Sequence, residues 1–320
     1  MSTEAAFITA LRALATSSAA RQLADDAAVL EIGGTRLVLT MDSIVEGVHF
    51  LSADPPETVA WKLVATNVSD LAAKGAVPRG CLLSYALSTA DEWNAAFLRG
   101  LRLACETYSI PLLGGDTVRQ PNGSARSFSL VALGEPAAGV EVPSRGGACV
   151  GDELWVTGSL GDAGLGLGIL RGEHKAQSAD RDTLVSRYRT PMPDVSLGVA
   201  LAPLVHAMMD VSDGVLIDAG RLAAASGLAA VVELDRLPLS DEYMSSLGCT
   251  LTSCLFAATA GDDYCLLFAA PPRIRDDLIA AAKEQAQKLH CIGRITEGEG
   301  LVLLFDGQII PPPARLGYEH

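Results

Sequence analysis

The chain has 320 residues, a formal net charge of −14 and an apolar fraction of 49%. Its length and apolar content suffice for two domains with ordinary cores, which excludes a disordered chain. The acidic balance argues against non-specific binding to nucleic acid or to an anionic membrane. No uncharged apolar run is long enough to span a membrane, and the N-terminal segment lacks the basic region of a secretory signal.

The seven cysteines are scattered and form no C-x-x-C pair, and neither they nor the five histidines have the spacing of a zinc site. This pattern favours buried free thiols over a disulfide framework. We therefore expect a protein of the reducing cytoplasm.

The first 137 residues are predicted to form a mixed α/β unit. Gly33 and Gly34 separate two short apolar runs, which indicates a β-hairpin that ends at Asp42. Helices and strands are assigned from apolar residues at helical spacing and from short apolar runs. The predicted elements are a helix over 2–15, the hairpin over 29–40, a helix over 57–75, a strand over 81–87, a helix over 91–107, a short buried strand over 110–113 and a strand over 127–133.

Residues 138–150 are rich in Gly, Pro and Ala and lack periodicity, so they are predicted to link a domain over 1–137 to a domain over 151–320. The predicted fold class is α/β (α+β), with mixed sheets packed against helices in two domains. In the second domain we predict strands over 153–157, 231–234, 291–295 and 301–305, helices over 213–226 and 275–289, and an irregular tail over 311–320.

Aspartates recur beside Gly, Ala and Ser along the whole chain. Carboxylates at the ends of structural elements suit hard cations such as Mg²⁺, which prefer oxygen ligands and accompany phosphates. The pattern therefore indicates a multi-metal phosphate enzyme. The positions are Asp25, Asp26, Asp42, Asp70, Asp116, Asp210, Asp213, Asp262 and Asp263.

Each of these positions also has an ordinary structural explanation. Asp70 could form an i,i+4 ion pair with Lys74 on a solvated helix face, and Asp213 could cap the helix that follows it. Asp116 could stand in an Asx turn, and His49 could be a simple turn residue. A shared metal site has the advantage that it explains all the aspartates by one cause.

Nucleotide motifs of the common kinds are missing from the sequence. The glycine-rich segment 161–168 follows a predicted strand, but the polar segment 173–187 lacks the second strand that a Rossmann site needs. There is no P-loop and no kinase-type H-R-D motif. If the chain binds ATP, metal ions must therefore neutralise more of the phosphate charge.

Five segments resemble motifs of the thiamine-monophosphate kinases, in the same order. The segment 40–50 resembles T-T-D-x-x-V-E-G-V-H-F, and 67–76 resembles N-x-S-D-L-A-A-M-G-A. The segments 114–117 and 210–215 match G-G-D-T and D-x-S-D-G-L, and 317–320 resembles G-[YW]-[DE]-H. Several motifs are shared with the wider aminoimidazole-ribonucleotide-synthetase-like superfamily, whereas V-E-G-V-H-F and the C-terminal motif are more specific.

The resemblance implies a homodimer formed through the N-terminal domains. It also implies that ATP phosphorylates thiamine monophosphate directly, with several Mg²⁺ ions and no phosphoenzyme, to give ADP and thiamine diphosphate. Both reacting groups are polyanions, so cations are needed to bring them together in line.

The same resemblance assigns roles to individual residues. The implied metal ligands are Asp26, Thr40, Met41, Asp42, Asp70, Asp116, Asp210 and Asp213, of which Asp42 and Asp213 are the catalytic candidates. The implied ATP-binding residues are Gly115, Asp116, Arg145 and Ser212. The implied thiamine-phosphate contacts are His49, Asp262 and Tyr318. Tyr318 offers a flat face for the thiamine ring, and Asp262 a counter-charge for its cationic part.

The chain departs from the motifs at several positions. Ala24 replaces the glycine of G-D-D, Met41 replaces the second threonine of T-T-D, and Asp262 replaces the glutamate of G-G-E-D-Y. Residues 189–194 stand where the family has R-P-x-P-R. No departure removes an implied aspartate ligand. The alternatives are another ATP-dependent synthetase or maturation enzyme of the superfamily, or an inactive metal or nucleotide sensor.

Overall fold

The computed structural model describes residues 3–87, 90–121 and 123–319, so Ser2 and His320 of the predictions above lie outside the described residues. The described residues form two mixed sheets with helices packed against them, which confirms the predicted fold class. None of the described helices is both long enough and apolar enough to cross a bilayer. Short 3₁₀ segments occur at Ser18–Leu23, Leu234–Arg236 and Pro272–Ile274.

The first sheet has five strands in the order β1-β2-β5-β3-β4. Its strands are β1 (Ala28–Ile32), β2 (Thr35–Val45), β3 (Ala76–Leu87), β4 (Leu112–Arg119) and β5 (Ser127–Pro136). The helices of this part are α1 (Thr3–Arg12), α2 (Pro56–Ala73) and α3 (Asp91–Thr107). The predicted hairpin is present, but β1 pairs with β2 only as far as Leu39. Residues 40–45 of β2 therefore have a free edge on that side within the described structure.

The prediction for residues 110–113 was wrong. In place of a short buried strand, β4 runs over Leu112–Arg119 at the edge of the sheet, and every residue in it is exposed. Gly115 and Asp116 lie inside this strand and pair with Leu83 and Ser84, so they do not form a turn. The apolar run was taken for a buried strand because the sequence cannot show that no helix covers this face of the sheet.

The second sheet has seven strands in the order β12-β11-β8-β10-β6-β9-β7. Its strands are β6 (Glu153–Thr157), β7 (Ala207–Asp210), β8 (Ala229–Glu233), β9 (Leu266–Ala270), β10 (Leu289–Thr296), β11 (Gly300–Phe305) and β12 (Gln308–Ile310). The helices are α4 (Asp162–Leu170), α5 (Ser178–Arg189), α6 (Val195–Leu201), α7 (Val215–Ala225), α8 (Asp241–Leu247), α9 (Leu251–Thr259) and α10 (Arg275–Glu284).

Both faces of the second sheet are covered. Leu154 and Val156 pack with α7 and α9 on one face, whereas Trp155 packs with α6 and α10 on the other. This alternation is the two-residue side-chain period of a strand that is buried on both sides. The apolar run over 154–156 in the middle of β6 has this physical cause.

Helix α2 joins the two domains. Val64 and Val68 belong to the core of the first sheet, whereas Ala72 and Ala73 at the end of the helix pack in the core of the second. Most residues of α2 are buried, including polar ones. Because a buried polar group is costly unless it is hydrogen-bonded, the polar residues of this helix require partners from both domains.

The close approach of α2 and α3 gives a test of the packing. A Cβ atom at Gly100 would lie 2.1 Å from the carbonyl oxygen of Glu57, so the two helices must separate in Gly100→Ala. We expect a loss of about 2 kcal/mol and a fall of the melting temperature by roughly 5 °C.

The matched control is Gly220→Ala, because a Cβ atom there meets no atom within 4 Å. Alanine favours a helix over glycine, so this variant should melt at or above the wild-type temperature. Equal melting temperatures for the two variants in a calorimetric scan would contradict the packing described.

Candidate functional site

A cavity of about 780 Å³ lies between the two domains. Its size is that of a small-molecule site. Residues of β2, α2 and β7 line it, together with the segment before β1 and the C-terminal tail. The predicted site residues that line the cavity are Asp26, Thr40, Met41, Asp42, His49, Asp70, Arg145, Asp210, Ser212, Asp213, Asp262 and Tyr318.

Gly115 and Asp116 are the two predicted site residues that do not line this cavity. Asp116 pairs with Ser84, which pairs with Ser129, which pairs with Ser43. Three strand spacings of about 4.8 Å each therefore separate Asp116 from Ser43 at the cavity wall. Within one protomer, Asp116 is too distant to share an ion with Asp42.

Three carboxylates meet at one point of the cavity. Oxygen atoms of Asp26, Asp70 and Asp210 all lie within 4.8 Å of one another. Asp26 precedes β1, Asp70 lies on α2 and Asp210 ends β7, so the fold assembles this cluster from both domains. Residues that are far apart in the sequence therefore converge at this point.

Burial and mutual repulsion raise the pKa values of Asp42, Asp70 and Asp210. Burial raises the pKa of Asp210 to about 8, with a further contribution from Asp26. Burial and then the charge of Asp42 raise the pKa of Asp70 well above its usual range. Burial, with smaller contributions from Asp26 and Asp213, raises the pKa of Asp42 to about 6. A cluster of this kind is stabilised when it is neutralised by a cation.

The carboxylates of Asp70 and Asp210 fit a divalent ion. The Ser69 hydroxyl donates to Asp210 at 2.6 Å, and the Thr40 hydroxyl donates to Asp70, which holds both carboxylates in place. Fixed carboxylate and hydroxyl oxygens are the ligand types that Mg²⁺ prefers.

Basic residues also reach this region, and sequence reasoning missed two of them. Arg145 Nε lies 2.6 Å from Asp26 Oδ1. Lys74 Nζ lies 2.7 Å from Asp26 Oδ2 and 2.5 Å from Asp25 Oδ1. Arg221 donates to both Asp213 and Asp218. The expected i,i+4 pair of Asp70 with Lys74 is therefore not the main contact of either residue.

The helix-cap explanation for Asp213 was wrong. Helix α7 begins at Val215, and its N-cap is Gly214, which has a positive φ of 119° and no side chain. The Asp213 carboxylate is directed to Arg221, and its backbone N–H donates to Asp218 at 3.1 Å. The carboxylate of Asp213 therefore lines the cavity and does not close the helix.

Asp262 also lines the cavity and has a buried lysine beside it. Lys62 Nζ is 2.9 Å from Asp262 Oδ2 and donates to the His49 carbonyl at 3.0 Å. The same ammonium lies 4.0 Å from the centre of the Tyr188 ring. The Tyr264 hydroxyl donates to Asp262 Oδ1 at 3.0 Å, so the carboxylate is held from two sides.

His49 and Tyr318 are two further residues of the cavity wall. Nδ1 of His49 accepts the Val45 backbone N–H at 3.1 Å, which fixes the ring relative to β2. Tyr318 has 45% of its surface exposed, and its backbone N–H donates to the Asp213 carbonyl at 2.9 Å. Asp263 accepts the Gly161 backbone N–H and so fixes a neighbouring turn.

Comparison with known proteins agrees with this arrangement. The model of the AIR synthase related protein N-terminal domain matches residues 24–135, and that of the AIR synthase related protein C-terminal domain matches 150–306. The thiamine-monophosphate kinase of Haemophilus influenzae is 34% identical over 314 residues, which are 96% of this chain and 93% of that protein. The chain belongs to the thiamine-monophosphate kinase family.

A second member of this kinase family, from Caulobacter vibrioides, is 38% identical over 307 residues, 94% of this chain and 85% of that protein. A solved structure described as AaThiL complexed with AMPPCP and TMP superimposes with a TM-score of 0.83 at 30% identity and covers 98% of this chain and 96% of that one. These matches confirm the family that the motifs indicated, and the alternative of another superfamily enzyme is not favoured.

We expect the ionised carboxylate cluster to destabilise the metal-free protein. The pKa of Asp210 lies above its unfolded value, so the penalty is absent at low pH and grows as the pH rises towards about 8. In EDTA, Asp210→Asn should raise the melting temperature by about 3 °C at pH 8 and by less at pH 6. Thermal unfolding at pH 6, 7 and 8 measures this.

Asp182→Asn is the control, since this aspartate side chain is 80% exposed. Its melting temperature should follow that of the wild type at each pH. A melting temperature of Asp210→Asn below the wild-type value at pH 8 would show that the cluster is not under electrostatic strain.

Proposed function

We propose that the chain transfers the γ-phosphoryl group of ATP to thiamine monophosphate, giving ADP and thiamine diphosphate. The observation that carries this proposal is the composition of one cavity between the domains. Its wall holds clustered carboxylates suited to metal-bound phosphates, together with the Asp262 carboxylate and the half-exposed Tyr318. A substrate with a cationic ring and a phosphate fits this set of groups.

The proposed Mg²⁺ ligands of this chain are Thr40, Asp42, Asp70, Asp210 and Asp213. Bound Mg²⁺ would neutralise the phosphates and hold donor and acceptor oxygens in line. Met41 has a soft thioether in place of a hydroxyl, so its backbone carbonyl on the free edge of β2 is the only hard ligand it offers.

The remaining residues are proposed to position the substrates. Arg145 and Ser212 hold the phosphates of ATP, and His49 and Tyr318 border the thiamine end. A phosphate monoester has a second pKa of about 6, so the attacking oxygen is already ionised at neutral pH. That oxygen bonds to the γ-phosphorus, and the bond from the γ-phosphorus to the bridging oxygen of ADP breaks. No general base is needed, and Asp42 acts through charge and position.

A second copy of the chain is proposed to complete the site. The outer face of the first sheet exposes Met41, Leu82, Leu113 and Val118, with 42–62% of each residue accessible. A face of this kind on a soluble domain usually marks an interaction surface. Met41 pairs with Val131, and Val131 with Leu82, so the exposed row runs straight into the cavity wall, which includes Met41 and Val131.

A homodimer through this face explains the position of Gly115 and Asp116. They lie on β4, away from their own cavity, and a second copy packed on the sheet would present its β4 to the cavity's open side. We propose that these two residues serve the site of the partner. The seven cysteines are all free, which supports the proposed cytoplasmic location.

The activity is tested by incubating the protein with ATP, Mg²⁺ and thiamine monophosphate, following ADP release and identifying the product by mass spectrometry. Thiamine diphosphate should form in equal amount to ADP. Asp42→Asn and Asp213→Asn should each lower kcat at least ~100-fold, because each removes charge from the phosphate site. Both variants should keep the wild-type circular dichroism spectrum.

The control for the activity test is again Asp182→Asn, which should turn over at the wild-type rate. Release of ADP without thiamine diphosphate would disprove the proposed acceptor. Near-normal turnover of Asp42→Asn would remove that residue from the reaction.

The dimer is tested by Leu82→Glu, which places a carboxylate in the middle of the proposed interface. Burying this charge should weaken association about 100-fold, so the variant should run as a monomer in light-scattering chromatography and lose activity. Leu103→Glu on α3 is the control, since Leu103 is 57% exposed but lies away from the sheet face. A monomeric wild-type protein at micromolar concentration would contradict the interface.

A further inference from the structure

Lys74 is a fully buried lysine beside Asp26, one of the three clustered carboxylates. Its side chain has no exposed surface, and it follows directly after the last residue of α2. Nζ lies 2.5 Å from Asp25 Oδ1 and 2.7 Å from Asp26 Oδ2, and it donates to the Met208 carbonyl at 2.9 Å. Two of the three N–H groups of the ammonium donate to Asp25 and to the Met208 carbonyl, and the contact with Asp26 is an ion pair. Lys74 cannot swing away without leaving buried partners unpaired.

Asp26 is held between two cations. Arg145 contacts Oδ1 through Nε at 2.6 Å and also through its terminal nitrogen. The Lys74 ammonium is on the other oxygen, in an ion pair without ordinary hydrogen-bond geometry. The Asp26 side chain has no exposed surface. Its negative charge is therefore already balanced by the protein itself.

Asp70 and Asp210 have different surroundings. Among the described residues, the hydrogen bonds to their carboxylates come from the hydroxyls of Thr40 and Ser69. These two carboxylates are the members of the cluster that still require a cation. A Mg²⁺ ion on Asp26 Oδ2, at the usual Mg–O distance of about 2.1 Å, would lie less than about 5 Å from the Lys74 ammonium, which is 2.7 Å from the same oxygen. Repulsion at that separation in a buried site disfavours the ion there.

We infer that Lys74 is a built-in cation that takes the place of a divalent ion at Asp26. Asp26 then positions Lys74 and Arg145 and is not a metal ligand, whereas Asp42, Asp70 and Asp210 keep that role. This inference rests on the proposed function, because it concerns the ions of the phosphoryl-transfer site. It also corrects the role that the motif resemblance implied for Asp26, since the quoted motif has methionine where this chain has Lys74.

The test counts bound Mn²⁺, used as a spectroscopic substitute for Mg²⁺, in the presence of AMPPCP. Electron paramagnetic resonance of free Mn²⁺ gives the number of ions per protomer for the wild type and for Lys74→Met. Methionine has a similar length and no charge. The variant should bind one more Mn²⁺ per protomer than the wild type. An equal number in both proteins would overturn the inference.

Lys283→Met on α10 is the matched control, since Lys283 is exposed, and it should bind as many ions as the wild type. If Lys74→Met does not fold, Lys74→Met combined with Asp25→Asn removes one of the two carboxylates that lose Lys74 as a partner and should bind the extra ion. Anomalous diffraction from wild-type crystals with Mn²⁺ and AMPPCP provides a measurement without any variant. Mn²⁺ peaks beside Asp70 and Asp210 are expected, and a peak coordinated by Asp26 would overturn the inference.

The two proposals fail in different ways. A wild-type protein that binds Mn²⁺ but forms no thiamine diphosphate refutes the proposed function, and the ion count still decides the role of Lys74. An active protein whose ion count does not change in Lys74→Met refutes the role of Lys74 alone. A wild type that binds no Mn²⁺ with AMPPCP refutes both.

Discussion

The burial of a polar helix face is the constraint on which the rest of this structure depends. Helix α2 lies between two sheets, and its polar side chains find partners in both domains. Asn67 accepts the backbone N–H of Asp42 in the first domain, and Ser69 donates to Asp210 in the second. Because each unpaired group would cost free energy, the two domains are held in the one arrangement that satisfies all of them. That arrangement also creates the cavity.

The same constraint explains why the site is strained. A helix that must deliver Asp70 to the cavity places it beside Asp42 and Asp210, and burial raises the pKa of each carboxyl. Carboxyls with shifted pKa values cluster at functional sites. There, some folding stability is lost because charges must be held in the positions that binding or catalysis requires. Arg145 and Lys74 relieve part of the repulsion from within the chain, and bound cations would relieve the remainder.

Much of the fold was predictable where the signal is local. Helix α3 has the predicted bounds, and the hairpin around Gly33 is present, because periodicity and turn residues act over a few positions. The prediction for β4 failed because its burial depends on whether a helix distant in the sequence covers that face of the sheet. The partners of Lys74 depended on a loop 49 residues earlier in the chain. Spacing alone therefore favoured a solvated pair with Asp70, although the apolar residues around the whole of α2 were a signal that its charged residues are buried.

Helix α2 also fixes a length. Lys62 pairs with Asp262 and Lys74 with Asp26, and at 1.5 Å per residue the helix holds the backbones of the two lysines roughly 18 Å apart. A helix of this kind does not stretch, so the distance between these two positions is fixed. The separation of the two ion pairs is then independent of how the surrounding loops move. Side chains along α2 can change during evolution. A residue inserted into or deleted from α2 would rotate Lys62 by about 100° around the helix axis relative to Lys74.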